Sequence, residues 1–330
     1  MTGWGWVAAL ALQAAAPGGP AVEPLGADLQ RYDYPYPVHW FVARPGVRMA
    51  YLDVAPTGRA NGRTAVLLHG KNFCAATWGD TARMLAARGY RVIAPDQIGF
   101  CKSAKPAGFQ YSLPALATLT RALLAQARVT RPVLVGHSTG GMLAMRYALL
   151  YPREVAALVL VNPLGLNDTI AEGVPYADLD ALRAEEAKTD VASIKAYQQR
   201  NYYHSTWRPD YDRWVAMLAG QYASADGATV REAQARLSEM IESQPVAHEL
   251  SQLAVPVTMI VGQADRTAFR ASSAPAALRD RIRTVPQAAE TAARTIPHAR
   301  LVRLAGLGHA PQVEDPARFD AALLDALAAD

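Results

Sequence analysis

Ser138 is the residue whose type and setting in this sequence most clearly suit chemistry, because it stands in the turn Gly136-His137-Ser138-Thr139-Gly140. A Val-rich apolar run precedes this turn, and apolar residues at helical spacing follow it. A G-x-S-x-G turn between a strand and a helix strains the serine backbone and exposes the hydroxyl, while the small flanking residues let strand and helix pass closely. The pattern predicts a nucleophilic serine; the alternative is a chance turn of the same composition.

A serine hydroxyl needs a base to remove its proton, and that base needs an acidic partner to hold its tautomer. Asp265 directly follows a predicted strand, and His309 follows the next one. Taken alone, such an aspartate is usually a helix cap, and such a histidine usually has no catalytic role. Because the order Ser138, Asp265, His309 is that of one fold type that builds a catalytic triad, the three together predict one. Asn162 occupies an alternative position for the acid, but an amide cannot carry the charge.

Two backbone amides are candidates for stabilising negative charge on a carbonyl oxygen that Ser138 attacks. The N–H of Thr139 lies at the start of the predicted helix, where amides point toward anions. The N–H of Lys71 follows His69-Gly70, in the turn after an early strand where the second donor is expected. The side chain of Lys71 is expected to be a solvated charge.

The elements that would position these residues alternate between short apolar runs and helical patterns. Strands are predicted at 38–44, 47–54, 64–68, 91–94, 133–135, 157–161, 257–261 and 301–304. Helices are predicted at 81–88, 113–127 and 316–328, with the first two strands forming a hairpin. This alternation predicts the α/β class, with a mainly parallel sheet covered on both faces and the chemistry at the carboxyl ends of its strands.

Residues 164–253 interrupt this alternation with helical patterns alone. The four patterns lie near 177–188, 190–202, 210–223 and 228–242. We interpret this segment as a helical cap over the loop end of the sheet, dividing a core domain formed by 28–163 and 254–330. Several aromatic residues cluster in it, and we expect most to pack against the core and a few to face a cavity. They are Tyr197, Tyr202, Tyr203, Trp207, Tyr211, Trp214 and Tyr222.

The amino-terminal residues 1–27 are interpreted as a signal peptide and linker. Residues 4–16 form an apolar segment that is too short for a membrane-spanning helix but suits the core of a secretory signal, although no basic residue precedes it. Export to the periplasm or medium is therefore expected, with a loose amino-terminal arm on a cytoplasmic protein as the alternative. Residues 17–37, rich in Gly, Pro and Tyr, are predicted to be an extended linker.

Composition excludes several other classes of protein. The net charge of +4 is small for 330 residues, and no basic run is interleaved with aromatics, so no nucleic-acid partner is expected. Two cysteines exclude a disulfide-dense scaffold and a zinc site built from cysteines. The seven histidines show no metal-ligand spacing, so neither a metal nor a cofactor is expected.

Taken together, these motifs resemble the α/β-hydrolase fold superfamily, and within it the capped serine esterase-like branch. The matching pieces are His69-Gly70, the stretch 96–103, the GHSTGG turn, Asp265 and Gly308-His309. In one departure, Cys101 stands where members usually have glycine. In a second, the loop between Asp265 and His309 contains an Ala-rich helical piece at about 275–294, which is expected to be either a second lid element or an inert surface helix.

The resemblance also implies that the strand before His69 and the strand before Asp96 are neighbours in the sheet. The loops carrying Cys74 and Cys101 should then approach each other over the site. A Cys74–Cys101 disulfide that clamps the oxyanion loop is the resulting hypothesis, with two buried free thiols as the alternative.

The activity expected from the residues and the resemblance is hydrolysis of carboxylic esters with small to medium acyl groups, through an acyl-enzyme on Ser138. Two alternatives remain open: hydrolysis of C–C bonds or lactones on the same triad, and ligand binding without catalysis on the same scaffold. The expected partner is a small ester-like molecule, and no oligomeric state is predicted.

Overall fold

One eight-stranded sheet organises the fold in a computed structural model that describes residues 22–328. The strands are β1 Val38–Arg44, β2 Val47–Val54, β3 Thr64–Leu68, β4 Arg91–Pro95, β5 Val133–His137, β6 Ala157–Val161, β7 Val257–Gly262 and β8 Arg300–Leu304. Their order is β1-β2-β4-β3-β5-β6-β7-β8. Both pairings of β2 are antiparallel and all others are parallel, so the predicted mainly parallel α/β sheet is confirmed.

Apolar cores cover both faces of the sheet, which explains why its central strands are continuous apolar runs rather than alternating ones. Every residue of β5, β6 and β7 is buried. Along β3, Val66 and Leu68 contribute to one core, whereas Ala65 and Leu67 contribute to the other. Successive side chains of a strand point to opposite faces, so each strand supports both helical layers.

The helices that pack on the sheet are α1 Gly79–Ala87, α2 Leu113–Gln126, α3 Thr139–Leu150, α9 Val285–Thr295 and α11 Pro316–Ala328. Two short helices, α8 Ala276–Arg279 and α10 Pro311–Glu314, lie in the carboxyl-terminal part. Residues of α2, α3 and α9 join the core on one face, and residues of α1 and α11 join the core on the other. The sheet is therefore enclosed by two helical layers, as the sequence predicts.

The segment 164–253 is helical, with α4 Leu179–Ala187, α5 Val191–Asn201, α6 Asp212–Tyr222 and α7 Gly227–Ser243. It contains no strand within the described chain. It contacts the loops that follow β3 and β8, where the Asn72 side chain donates to Tyr202 Oη and the His309 N–H donates to Tyr202 O. The domain limits at 164 and 253 stay a prediction.

The structure corrects both interpretations of the helical piece at 275–294. The Ala-rich part is α9, which buries Val285, Ala288, Ala289 and Ala292 in the same core as residues of β7. Because α9 connects β7 to β8 and packs on the sheet, it is neither a lid element nor an inert surface helix.

The described part of the amino-terminal arm, residues 22–36, carries no regular structure but is packed against the protein. Leu29 is fully buried, and the Leu25 N–H donates to Gly220 O in α6. Asp28 pairs with Lys105, which extends from the core. The arm thus joins the segment 164–253 to the core, which its composition did not reveal. The predicted signal core at 4–16 lies outside the described residues. Within the described chain, no helix combines the length and apolar character that crossing a bilayer requires.

Candidate active site

Ser138 lies in a sharp turn between β5 and α3, with backbone angles φ 55° and ψ −119°. A positive φ is rare for a non-glycine residue and marks local strain. The glycines on either side are required by close backbone contacts. A Cβ at Gly136 would lie 2.3 Å from Gly140 O, and one at Gly140 would lie 2.2 Å from Leu68 O. The turn therefore has the strained geometry that the sequence pattern predicts.

The structure brings Ser138, His309 and Asp265 together from the ends of three different strands. Ser138 Oγ lies 2.9 Å from His309 Nε2, and His309 Nδ1 lies 2.7 Å from Asp265 Oδ2. All three residues are buried, with His309 fully enclosed. Since the carboxylate can only accept, His309 Nδ1 carries a proton and Nε2 is free to accept the hydroxyl proton of Ser138.

Further donors converge on the Asp265 carboxylate and fix its orientation. The Thr267 N–H donates to Oδ1 across 2.7 Å, and the Asn162 side-chain amide donates to Oδ2 across 2.8 Å. Asn162 is itself held by the Gly262 N–H, which donates to its Oδ1 across 3.0 Å. Asn162 therefore occupies the position considered for an alternative acid, but it acts as a donor to Asp265, a role that sequence reasoning missed.

His69 supports the turn that carries Lys71. Its Nδ1–H donates to Gly70 O across 2.9 Å, and its Nε2 accepts the Gln97 N–H across 3.1 Å. Burial lowers the pKa of His69, although the charge of Asp96 and the hydrogen bond to Gly70 O oppose this shift. The neutral ring fixes the path of the chain between β3 and the loop that follows.

The two predicted oxyanion donors come from the two chain segments next to Ser138. Thr139 is the first residue of α3, and Lys71 follows Gly70, where an added Cβ would lie 2.9 Å from Ser138 Cβ. Neither backbone amide is engaged by a carbonyl of the described chain outside regular elements. Both amides therefore remain available to an oxygen atom bound beside Ser138.

The Lys71 side chain is not a solvated charge, in contrast to the sequence expectation. Its Nζ lies 2.6 Å from Glu186 Oε1 in α4, and the two side chains are 19% and 10% exposed. Tyr222 Oη donates to the other carboxylate oxygen of Glu186 across 2.7 Å. Burial raises the pKa of Glu186, but Lys71 and Tyr222 outweigh it, so the net shift is downward. The ion pair ties the loop after β3 to the segment 164–253.

Cys74 and Cys101 form a disulfide between the loops that follow β3 and β4, with their Cα atoms 5.9 Å apart. Asp96 lies beside the two sulfur atoms, and these three residues are close enough together to be considered as metal ligands. The sulfur atoms are bonded to each other, and Asp96 accepts from Tyr34 Oη and the Ala75 N–H. This donor set does not suit a metal ion.

A cavity of about 570 Å³ opens above Ser138 and His309. The segment 164–253 and the residues after Asp265 form most of its walls. Of the clustered aromatics, Tyr197, Tyr202 and Tyr222 line it, whereas Tyr203 stacks on Tyr211 with ring centroids 3.8 Å apart. The Tyr202 ring also packs on the His309 ring, with centroids 4.6 Å apart. The aromatic content of the segment does not show which of its aromatic residues makes this contact.

Comparisons with known proteins agree with this architecture. The profile of the Alpha/beta hydrolase family matches residues 65–322. A crystal structure of a probable hydrolytic enzyme from Pseudomonas aeruginosa PAO1 is 49% identical, covers 93% of this chain and 99% of that chain, and has a TM-score of 0.90. Lipase 1 from Psychrobacter immobilis is 26% identical over 274 residues, or 82% of this chain and 77% of that protein.

A more distant structure, an esterase from Exiguobacterium antarcticum, is similar in fold alone. Its TM-score is 0.67 at 21% identity, over 87% of this chain and 97% of that chain. Because the family profile spans most of the sequence and a 49% identical structure superposes over nearly its whole length, the chain belongs to the alpha/beta hydrolase family.

Proposed function

We propose that this protein is a serine hydrolase that cleaves carboxylic esters. The observation that carries the proposal is the continuous hydrogen-bonded series from Ser138 Oγ through His309 to Asp265, at the floor of the cavity. Nucleophile, base and orienting carboxylate in this arrangement are the groups that acyl transfer requires.

In the proposed reaction, Ser138 Oγ attacks the ester carbonyl while His309 Nε2 takes the hydroxyl proton. Asp265 stabilises the imidazolium that forms. The N–H groups of Lys71 and Thr139 donate to the oxyanion, and the loss of one such donor typically costs about 3 kcal/mol in the transition state. His309 then protonates the leaving alkoxide, and water activated by the same histidine hydrolyses the acyl-enzyme.

The proposed substrates are small to medium esters. The volume of about 570 Å³ falls within the range of small-molecule pockets. The segment 164–253 acts in this proposal as a cap, because its contacts with the loops after β3 and β8 restrict access to Ser138. Lactone opening uses the same groups and belongs to the same reaction class.

Labelling with a fluorophosphonate probe, followed by turnover of p-nitrophenyl esters of rising chain length, tests the proposal. Wild type should be labelled and should hydrolyse the shorter esters, and Ser138→Ala should do neither. Ser272→Ala is the matched control, since Ser272 lines the same cavity but contacts neither His309 nor Asp265. Folded wild-type protein that is neither labelled nor active would instead favour a binding protein.

We further propose that the chain is exported. The apolar segment at 4–16 and the Cys74–Cys101 disulfide support this proposal, because disulfides persist mainly in oxidising compartments. Fractionation of cells expressing the full chain tests it. Recovery of uncleaved protein in the cytoplasm alone would contradict export.

A further inference from the structure

The charged side chains around the cavity are unevenly paired. The cationic side chains that line it are Lys71, Arg200, Arg266 and Arg270, and the anionic ones are Glu185 and Glu186. Glu186 pairs with Lys71 at 2.6 Å, and Glu185 pairs with Arg270 at 3.0 Å, while Arg270 also contacts Glu242 at 3.2 Å. Within residues 22–328, Arg200 and Arg266 have no acidic partner. Positive charge is therefore left uncompensated at the cavity wall.

The two unpaired arginines are solvent-exposed and line the cavity together with His309. Arg266 directly follows Asp265, whose Oδ2 binds His309. Arg200 is in α5 with Tyr197, and the Tyr197 ring contacts the Tyr202 ring at 5.6 Å, which in turn packs on His309 at 4.6 Å. Two separate elements, α5 and the loop after β7, thus carry cationic side chains that line the same cavity as His309.

Uncharged donors accompany these arginines. Thr267 is only 3% exposed and lines the cavity, yet its hydroxyl has no hydrogen-bond partner in the described chain. Burial, with a smaller contribution from the charge of Asp265 and against the opposing charge of Arg200, raises the pKa of Tyr197 to about 12, so its phenol keeps its proton and can donate. The Thr267 hydroxyl oxygen is itself enclosed, so Tyr197 is the neutral donor available at the cavity wall.

Asp265, which precedes Arg266 in the chain, is not paired with either arginine. It is 3% exposed, and its carboxylate accepts from His309, Thr267 and Asn162. The remaining acidic groups of the wall are those paired with Lys71 and Arg270. An anion entering beside Arg200 and Arg266 would therefore meet two guanidinium groups that no carboxylate of the described chain pairs with, and the phenol of Tyr197.

The role of His309 in the proposed reaction decides which part of a substrate lies next to this histidine. His309 protonates the leaving alkoxide, so the alcohol portion of an ester must lie on the His309 side. We propose that Arg200 and Arg266, with Tyr197, bind an anionic group, such as a carboxylate, on the alcohol portion of the ester. This inference rests on the proposed serine hydrolase function and adds a class of substrate to it.

Equilibrium binding to Ser138→Ala tests the subsite without requiring turnover. The probes are 4-hydroxybenzoate and its neutral counterpart 4-hydroxybenzamide, measured by calorimetry. The anion should bind more tightly, but by only roughly threefold to tenfold, because charge-assisted hydrogen bonds to two exposed arginines are weakened by solvent. Adding Arg200→Gln and Arg266→Gln should abolish this preference. Adding Arg59→Gln and Arg83→Gln, which remove the same charge outside the cavity, should retain it.

Kinetics of the corresponding aryl acetates test which side of the ester carries the charge. The ratio of kcat/KM for 4-acetoxybenzoate to that for 4-acetoxybenzamide should fall roughly threefold to tenfold in Arg200→Gln/Arg266→Gln relative to wild type. Comparing ratios cancels the difference in intrinsic reactivity between the two esters. A phenyl ester with its carboxylate on the acyl chain should show no such change relative to its carboxamide counterpart.

The outcomes separate the two proposals. Equal binding of the two probes to Ser138→Ala would overturn the anion subsite, while hydrolysis of the neutral acetate by wild type would still support the serine hydrolase. A change confined to the acyl-side substrate would overturn the assignment to the alcohol portion. Selective binding of 4-hydroxybenzoate with neither acetate hydrolysed would support the subsite and contradict the proposed reaction.

Discussion

The imidazole of His137 donates its Nε2–H to the backbone carbonyl of His309 across 2.8 Å. The residue preceding the proposed nucleophile thus holds the main chain of the proposed base, and the two rings lie with centroids 5.0 Å apart. Burial, and the proximity of His309, keep the pKa of His137 well below its ordinary value. The ring is therefore neutral, and its single proton must lie on Nε2 because the partner is a carbonyl.

We expect His137→Leu to reduce kcat by roughly threefold to tenfold, because one neutral hydrogen bond that positions His309 is lost. His137→Gln should recover part of the activity, since its side-chain amide can donate from about the same place. Steady-state kinetics of both variants check this, with thermal unfolding to separate a loss of stability. If KM alone changed, or if Leu and Gln were equally impaired, His137 would not act by positioning His309.

Much of the fold follows from local patterns that the sequence carries on its own. The apolar runs of β5 and β6 and the helical spacing of α11 are set by burial against both faces of the sheet, so their positions could be predicted within a few residues. Ser138, Asp265 and His309 could be singled out because each lies within five residues after the end of a strand. The ends of parallel strands meet at one edge of the sheet.

Other features depend on tertiary contacts and left no local signal. The Lys71–Glu186 pair joins residues 115 positions apart, and nothing near Lys71 in sequence distinguishes it from a surface lysine. The packing of Leu25 and Leu29 was hidden by the surrounding Gly, Pro and polar residues. The loop between Asp265 and His309 looks longer than usual for the family, which suggests a lid element or an inert surface helix, whereas the buried alanines of α9 pack on the sheet.

The disulfide gives a prediction for stability. Cys74 and Cys101 are 27 positions apart, and closing a loop of this length stabilises a protein by about 3–4 kcal/mol through the entropy of the unfolded chain. Cys74→Ala/Cys101→Ala should therefore lower Tm by several degrees. Because Cys74 lies in the loop that carries Lys71, kcat should fall more than KM rises. Thermal unfolding and kinetics with and without reductant measure both effects.

A matched variant separates the bond from the backbone. Cys101 has φ 50°, a left-handed conformation that favours glycine. Cys74→Ala/Cys101→Gly should therefore be more stable than the double alanine variant by about 1 kcal/mol. Reductant should lower the Tm of wild type and leave both variants unchanged. Equal wild-type Tm with and without reductant, with both thiols titrating as reduced, would contradict a stabilising bond.

The buried carboxyl of Glu314 should make the folding stability of the protein depend on pH. Burial raises the pKa of its carboxyl to about 7, although the hydrogen bond from the Gly308 N–H opposes this shift. Because the folded protein holds the Glu314 proton more tightly than the unfolded chain does, the protonated carboxyl contributes fully to folding stability below the pKa of the unfolded state. This contribution is lost as the pH rises through about 7. Glu314→Gln, which keeps an acceptor for Gly308, should therefore gain stability relative to wild type between pH 5 and 8, by about 1–3 kcal/mol.

Thermal unfolding of wild type and Glu314→Gln across this pH range measures the difference. The control is Glu314→Leu, which removes both the charge and the acceptor and should be less stable than Glu314→Gln at every pH. His204, whose Nε2 lies 3.3 Å from Glu314 Oε1, can pair with the ionised form and reduce the effect. Parallel curves for wild type and Glu314→Gln would show that Glu314 ionises with no stability cost.

The Lys71–Glu186 pair allows the side chain of Lys71 to be tested apart from its backbone amide. Substituting Lys71 leaves the proposed oxyanion N–H in place and removes only the tether to α4. Lys71→Met should destabilise the protein by about 3 kcal/mol, because it leaves the buried Glu186 carboxylate without its cation. Glu186→Met should cost a similar amount, since it leaves the lysine unpaired.

Removing both charges should cost less than either single change, because no uncompensated charge then remains buried. A double-mutant cycle by denaturant unfolding gives the coupling energy between the two side chains. If Lys71→Met/Glu186→Met recovers stability without recovering kcat/KM, the ion pair holds the loop after β3 against α4 in the geometry that catalysis needs. Additive losses in stability would contradict any coupling, and wild-type kinetics in all three variants would show that the tether does not position the Lys71 amide.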